Sequence, residues 1–160
     1  MSKPVYGVIK FGDKRQFGPE VPFAASQVLY ANSGRFVYNN AGVWTACANG
    51  ANNVQGFTEF IGTTSSTSGG TKATVDQSCD VWYEMPVYKT TAFTQANLDS
   101  YIGKSCDLYV STYQYADVQS TTTDFVFKIM GGSVAHQTIY VTIRPEIQAT
   151  GGVPDIAGVA

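Results

Sequence analysis

His136 is the only histidine in this 160-residue chain, so a catalytic triad or a His-rich metal site would have to be built on it. The preceding Gly131-Gly132-Ser133-Val134-Ala135 approaches the G-x-S-x-G nucleophile elbow. However, Ala135 stands where the last glycine belongs, and no strand-to-helix turn follows. His136 therefore reads as a residue of a hairpin loop or strand start. Gly103-Lys104-Ser105 ends like a phosphate-binding P-loop, but Leu98 occupies the place of its first glycine. A helical pattern precedes that tripeptide and a strand pattern follows it, the reverse of the P-loop order, so nucleotide binding is rejected.

The remaining candidates are equally poor in chemistry. Asp76 and Asp80 fit neither an EF-hand nor a Gly-Asp repeat and read as solvated turn carboxylates. Glu84 beside Met85-Pro86 and Asp107 beside Leu108 sit in apolar surroundings, as paired structural charges or interface contacts do. Cys47, Cys79 and Cys106 have no zinc-like spacing. Each adjoins an apolar run, which predicts buried reduced thiols; one disulfide plus a leftover thiol is the alternative. The expectation is a protein that is no enzyme, with no catalytic, cofactor-binding or metal-binding residues and no cofactor. Tyr109, Tyr113 and Tyr115 alternate along one segment and form a candidate aromatic stripe for an interface or a stacked sugar, with plain cross-strand packing as the competing use.

The elements that would position these groups are almost all strands. Apolar and polar residues alternate over Gln27–Tyr30, Arg35–Asn39, Val43–Ala48, Gly56–Ile61, Ala73–Gln77 and Val81–Val87, with Pro86 marking a strand end or edge. Later strands are Cys106–Ser111, Phe125–Met130 and Ile139–Ile143; Phe125-Val126-Phe127 and Ile139, Val141 and Ile143 are placed in the core. Thr94–Ile102 is the single helix, with Thr94 as N-cap, Ala96, Leu98, Tyr101 and Ile102 as apolar face, and Gly103 past its end. Thr63–Thr71 is a polar low-complexity loop, expected to be mobile and exposed. Short strands, frequent turns and one helix make an all-β barrel or sandwich.

Domain organisation follows from composition: an extended arm over 1–22, a β domain over 23–147 and a tail over 148–160. Charged residues make up 14%, against about 25% in typical domains. Neutral polar surface is cheap to desolvate against protein. The net charge of −2 argues against nonspecific nucleic-acid binding. In the first fifteen residues Lys3, Lys10, Lys14 and Arg15 oppose only Asp13, a balance of 4 − 1 = +3. That predicts either a lysine-protected strand edge or an arm that docks on an acidic surface. The start lacks a signal-peptide pattern, and no run of eighteen apolar residues occurs, so folding in a cytoplasm and no membrane partner are expected.

Several stretches resemble a known family. SGRFVYNNAGVWTACANG leading into QGFTEF, then IGKSCDLYVSTYQYADVQSTTTDFVFKIMGG and QTIYVTIRP, are similar in layout to capsid decoration (cement) proteins of tailed bacteriophages, over roughly residues 25 to 147. The resemblance implies a β-rich fold and a homo-oligomer, with a trimer favoured. It implies a place on the capsid exterior of the virion and the major capsid protein as partner. No individual functional residue transfers with it. A receptor- or carbohydrate-binding β domain of a phage fibre or secreted lectin is the alternative of a different class.

Overall fold

The computed structural model describes residues 9–11, 20–29, 35–49, 51, 53–60, 62–77, 81–89, 91–111, 113–118 and 126–144. Strands come first: β1 (Ile9–Phe11), β2 (Val21–Pro22), β3 (Val28–Leu29), β4 (Arg35–Asn40), β5 (Val43–Ala46), β6 (Gly56–Thr58), β7 (Gly62–Thr63), β8 (Lys72–Ala73) and β9 (Trp82–Tyr88). Helix α1 (Gln95–Tyr101) follows, then β10 (Ser105–Val110), β11 (Gln114–Asp117), β12 (Phe127–Ser133) and β13 (Thr138–Ile143).

β9, β11, β10, β12 and β13 pair in that order, and β13 pairs back onto β9, which closes a five-stranded barrel. All its pairings are antiparallel except β11–β9, whose register is Ala116↔Val87 and Asp117↔Tyr88. Alternation along β13 sends Ile139, Val141 and Ile143 inward, each fully buried, and leaves Tyr140 and Thr142 outside. β9 does the same with Tyr83 and Met85 inside and Trp82 and Glu84 outside.

Closure needs a bend. It comes in β12, where the register to β13 slips between Ile129 and Gly131. A Cβ on Gly132 would lie 2.7 Å from the Thr138 carbonyl oxygen and 2.9 Å from Leu98 Cδ1, so only glycine lets α1 seat on the barrel there. The pairing pattern, with β9–β11 as its one parallel pair, is that of an OB-type Greek-key barrel in circularly permuted order, the chain running β9, α1, β10, β11, β12, β13.

The described residues between 20 and 77 form a lobe of small sheets against this barrel: β5-β4-β6, β2-β8 and β3-β7. β4 and β5 join through Ala41-Gly42, both at positive φ (54° and 97°), the signature of a type I′ hairpin. Alternation along β4 splits its side chains between two cores. Val37 packs with Phe23, Leu29, Trp44 and Ala73 inside the lobe. Phe36 points the other way, into the barrel core, at 4.9 Å from the Tyr83 ring and 4.7 Å from Phe127. Gln114 of β11 completes the joint: Phe36 N–H donates to its Oε1 (2.7 Å), and its Nε2 donates to the Phe36 carbonyl (3.1 Å).

Of the all-β barrel or sandwich with one helix that the sequence predicts, the structure shows the barrel. Thr94 caps α1, with Asn97 completing a capping box that the sequence reading lacked, and Gly103 follows at φ +87°. The helix face is narrower than expected: Leu98 alone is buried, while Ala96 and Ile102 are exposed. One local expectation fails and another holds only in part. Pro86 lies inside β9, not at an end or edge, paired with Thr138 of β13. The Val87 N–H points toward β13, donating to the Gln137 carbonyl, so position 86 faces the other side. There it falls between the stretches paired to β1 and β11, where a missing N–H costs nothing. The Thr63–Thr71 loop is exposed as expected at Thr63, Ser66 to Ser68 and Gly70, but it is tied down by hydrogen bonds. Its hydroxyls replace a core: Thr64 is buried and donates to the Ala24 carbonyl (2.7 Å), and Thr71 accepts from Ser65 N–H (2.8 Å).

Candidate interaction surfaces of the barrel

Outward positions on β9 and β13 bring together Trp82, Glu84, Thr138 and Tyr140, and the β12–β13 turn adds His136. Trp82 is 36% exposed and its ring stacks on Tyr140 at 6.4 Å with a 26° interplanar angle. The buried Thr138 hydroxyl donates to Glu84 Oε2 at 2.6 Å, and His136 Nδ1 lies 3.4 Å from the same oxygen. Desolvation, and next the Glu84 carboxylate, push the Tyr140 phenol above its ordinary value. His136 is thus a turn residue oriented by an acid. Of the neighbouring hydroxyls, Thr138 donates to Glu84, and Ser133 Oγ accepts from the His136 N–H at 3.2 Å. The group presents aromatic faces and hydrogen-bonding groups together on one side of the barrel.

A second cluster lies where β9 meets β11. Tyr109 and Tyr115 are direct cross-strand partners on β10 and β11, and Tyr88 of β9 joins them. The Tyr88 and Tyr109 rings stack at 3.6 Å with an 11° interplanar angle. Tyr113 sits in the β10–β11 turn, so Tyr109 and Tyr115 meet by pairing across strands and not as a stripe along one. The adjacent Tyr109 side chain is the main cause raising the Tyr88 phenol, with burial and Asp117 adding to it. Burial raises Tyr115, with smaller effects from Tyr113 and Tyr109.

The carboxylates sort differently from expectation. Asp76 is buried and bridges to Phe57 through paired backbone hydrogen bonds, in contrast to a solvated turn. Asp107 is buried opposite Asp117 in the β10–β11 register. Of the basic residues, Lys10 is the middle residue of β1, at the register position of Tyr83. Lys3, Lys14, Arg15, Cys79, Asp80, Phe125 and the 148–160 tail lie outside the described residues. Trp82, Tyr88 and Tyr140 escaped the sequence reading, although their even spacing within two strand runs marks one outward face.

Cys47 and Cys106 are free thiols buried in the shared core, and burial drives both pKa values far up, with Arg35 partly opposing this at Cys47. Native protein treated with a thiol reagent should therefore leave both unmodified, with full labelling after denaturation, as read by peptide mass mapping. The same burial makes stability fall at alkaline pH. Below the ordinary thiol value of 9.0 both states are protonated; above it only the unfolded chain ionises. Each thiol should then remove roughly 1.4 kcal/mol per pH unit, a slope that Cys47→Ala and Cys106→Ala should each reduce in urea titrations.

The lobe contributes a third surface. Its charged residues within 20–77 are Glu20, Arg35, Glu59, Lys72 and Asp76, of which Arg35 and Asp76 are buried. Its exposed positions are otherwise neutral, including Asn39 to Gly42, Ala48, Asn49 and Ser66 to Ser68. Comparison with known proteins finds no matching family model, no matching curated protein and no matching solved structure.

Proposed function

We propose that this chain is a non-enzymatic decoration protein of a phage virion, seated on the outer surface of the capsid and stabilising contacts between major capsid protein subunits. The observation that carries this reading is the neutral outer surface of a firmly docked lobe, with only Glu20, Glu59 and Lys72 as exposed charges over 20–77. Such a surface loses little on desolvation and suits repeated contacts in a lattice. The family resemblance of residues 25 to 147 points to the same role, with a homo-oligomer, a trimer by preference, as the binding unit.

The basic amino-terminal residues Lys3, Lys10, Lys14 and Arg15 are proposed to reach an acidic neighbour. Removing 1–22 would take β1 from β9 and β2 from β8, so charge reversal is the cleaner test. Lys3→Glu/Lys14→Glu/Arg15→Glu should weaken capsid binding about tenfold or more at low salt, with less difference at high salt. Unchanged affinity at low salt, measured by co-sedimentation, would remove the arm from the mechanism.

A carbohydrate-binding role is supported by one observation: the exposed Trp82–Tyr140 pair flanked by Glu84 and His136. By fold analogy alone, the β9–β13 face matches the face OB barrels use for oligosaccharides. Glycan binding lost in Trp82→Ala, with capsid binding retained, would favour this second reading.

A further inference from the structure

The tyrosine cluster spans one of the two shortest ladders of the barrel, β9–β11, the other being β10–β12. β9 and β11 are held by a parallel register of two residue pairs, whereas β13 joins β9 over four. Tyr88 of β9 and Tyr109 of β10 reach across the intervening β11 and stack over it. Their contact is a sandwich at 3.6 Å, closer and flatter than the offset or edge-on arrangements at 4.5–7 Å that aromatic pairs prefer. Both rings are only half-buried. Tyr115 meets the pair at steeper angles, 61° to Tyr88 and 56° to Tyr109, with centroids 6.4 and 6.1 Å away.

We propose that Tyr88 and Tyr109 form an oxidative cross-linking site, which hydrogen peroxide and a one-electron peroxidase convert into an intramolecular dityrosine. Each phenol gives up one electron and one proton. The two ring radicals join through a new bond between ortho carbons. The two ortho hydrogens move to the phenolic oxygens as the rings regain aromaticity. Peroxide accepts the two electrons and two protons and leaves as two waters, so the protein loses two hydrogens. The product staples β9 to β10 across β11, a covalent lock over the short parallel β9–β11 ladder. This inference is independent of the capsid reading.

The test is brief treatment of the full chain with horseradish peroxidase and hydrogen peroxide, read by dityrosine fluorescence, intact mass and peptide mapping. A monomeric product two hydrogens lighter is expected, with Tyr88 and Tyr109 in one cross-linked peptide pair. Tyr88→Phe and Tyr109→Phe, each confirmed folded by circular dichroism, should both abolish the product, while Tyr140→Phe should keep it. Closing a loop of this size should raise Tm by roughly 5–10 °C. Absence of dityrosine in the wild-type protein would overturn the proposal. So would a product mapping to other tyrosines or linking two chains.

Discussion

Gln114→Leu is expected to lower stability by about 2–4 kcal/mol, although leucine nearly matches the glutamine in size. Gln114 is 1% exposed and acts as a strand edge made from a side chain. Its Oε1 accepts from the Phe36 N–H, and its Nε2 donates to the carbonyls of Phe36 (3.1 Å) and, more weakly, Cys47 (3.4 Å). Leucine leaves the Phe36 N–H buried without that acceptor. The Phe36 carbonyl keeps a second donor, the Cys47 N–H at 3.0 Å, which is why the loss stays below the cost of two orphaned groups. For a chain of this length Tm should fall by roughly 5–15 °C. A change under about 0.5 kcal/mol in urea unfolding would mean that the lobe and barrel are not joined through this residue.

Phe36→Ala should cost about 3–5 kcal/mol, the larger of the two effects. The ring is fully buried and touches Phe57 at 5.2 Å, Tyr83 at 4.9 Å and Phe127 at 4.7 Å, so it fills the joint between lobe and barrel. Phe36→Leu should cost less, because most of the volume stays. Since Gln114 holds the backbone whose side chain fills the core, the double variant Phe36→Ala/Gln114→Leu should be less destabilised than the sum of the singles. Strict additivity by chemical denaturation would separate the two roles. Loss of one cooperative transition in favour of two would instead show lobe and barrel unfolding independently.

Fold class was legible in the sequence because period-2 patterning is a local property. Ile139, Val141 and Ile143 mark a strand with one buried face without knowledge of its partners. Pro86 was misread because a proline is judged by its missing N–H, and only the pairing of β9 shows that this side has no ladder partner. The hydrogen bonds that tie down the exposed Thr63–Thr71 loop are hidden for a related reason. Hydroxyl groups that look like loop composition become structure when Ala24, Gln27 and Ser65 supply partners, up to 40 residues away in the case of Thr64 and Ala24.

The aromatic clusters show the same division. Tyr109 and Tyr115 stood out by spacing, but Tyr88 joins them only because β9 lies parallel beside β11. Glu84 and His136 are 52 residues apart and meet because β13 pairs back onto β9 to close the barrel. Topology of this kind follows from the whole set of pairings and leaves no trace in a single segment.

The central claim is tested most directly by mixing the purified protein with capsids that lack it and sedimenting the mixture. A decoration protein should pellet with the capsids, saturate at a fixed number of copies per major capsid subunit, and raise the temperature at which the shells open. Protein that stays in the supernatant at every ratio, with shells opening at an unchanged temperature, would contradict the account.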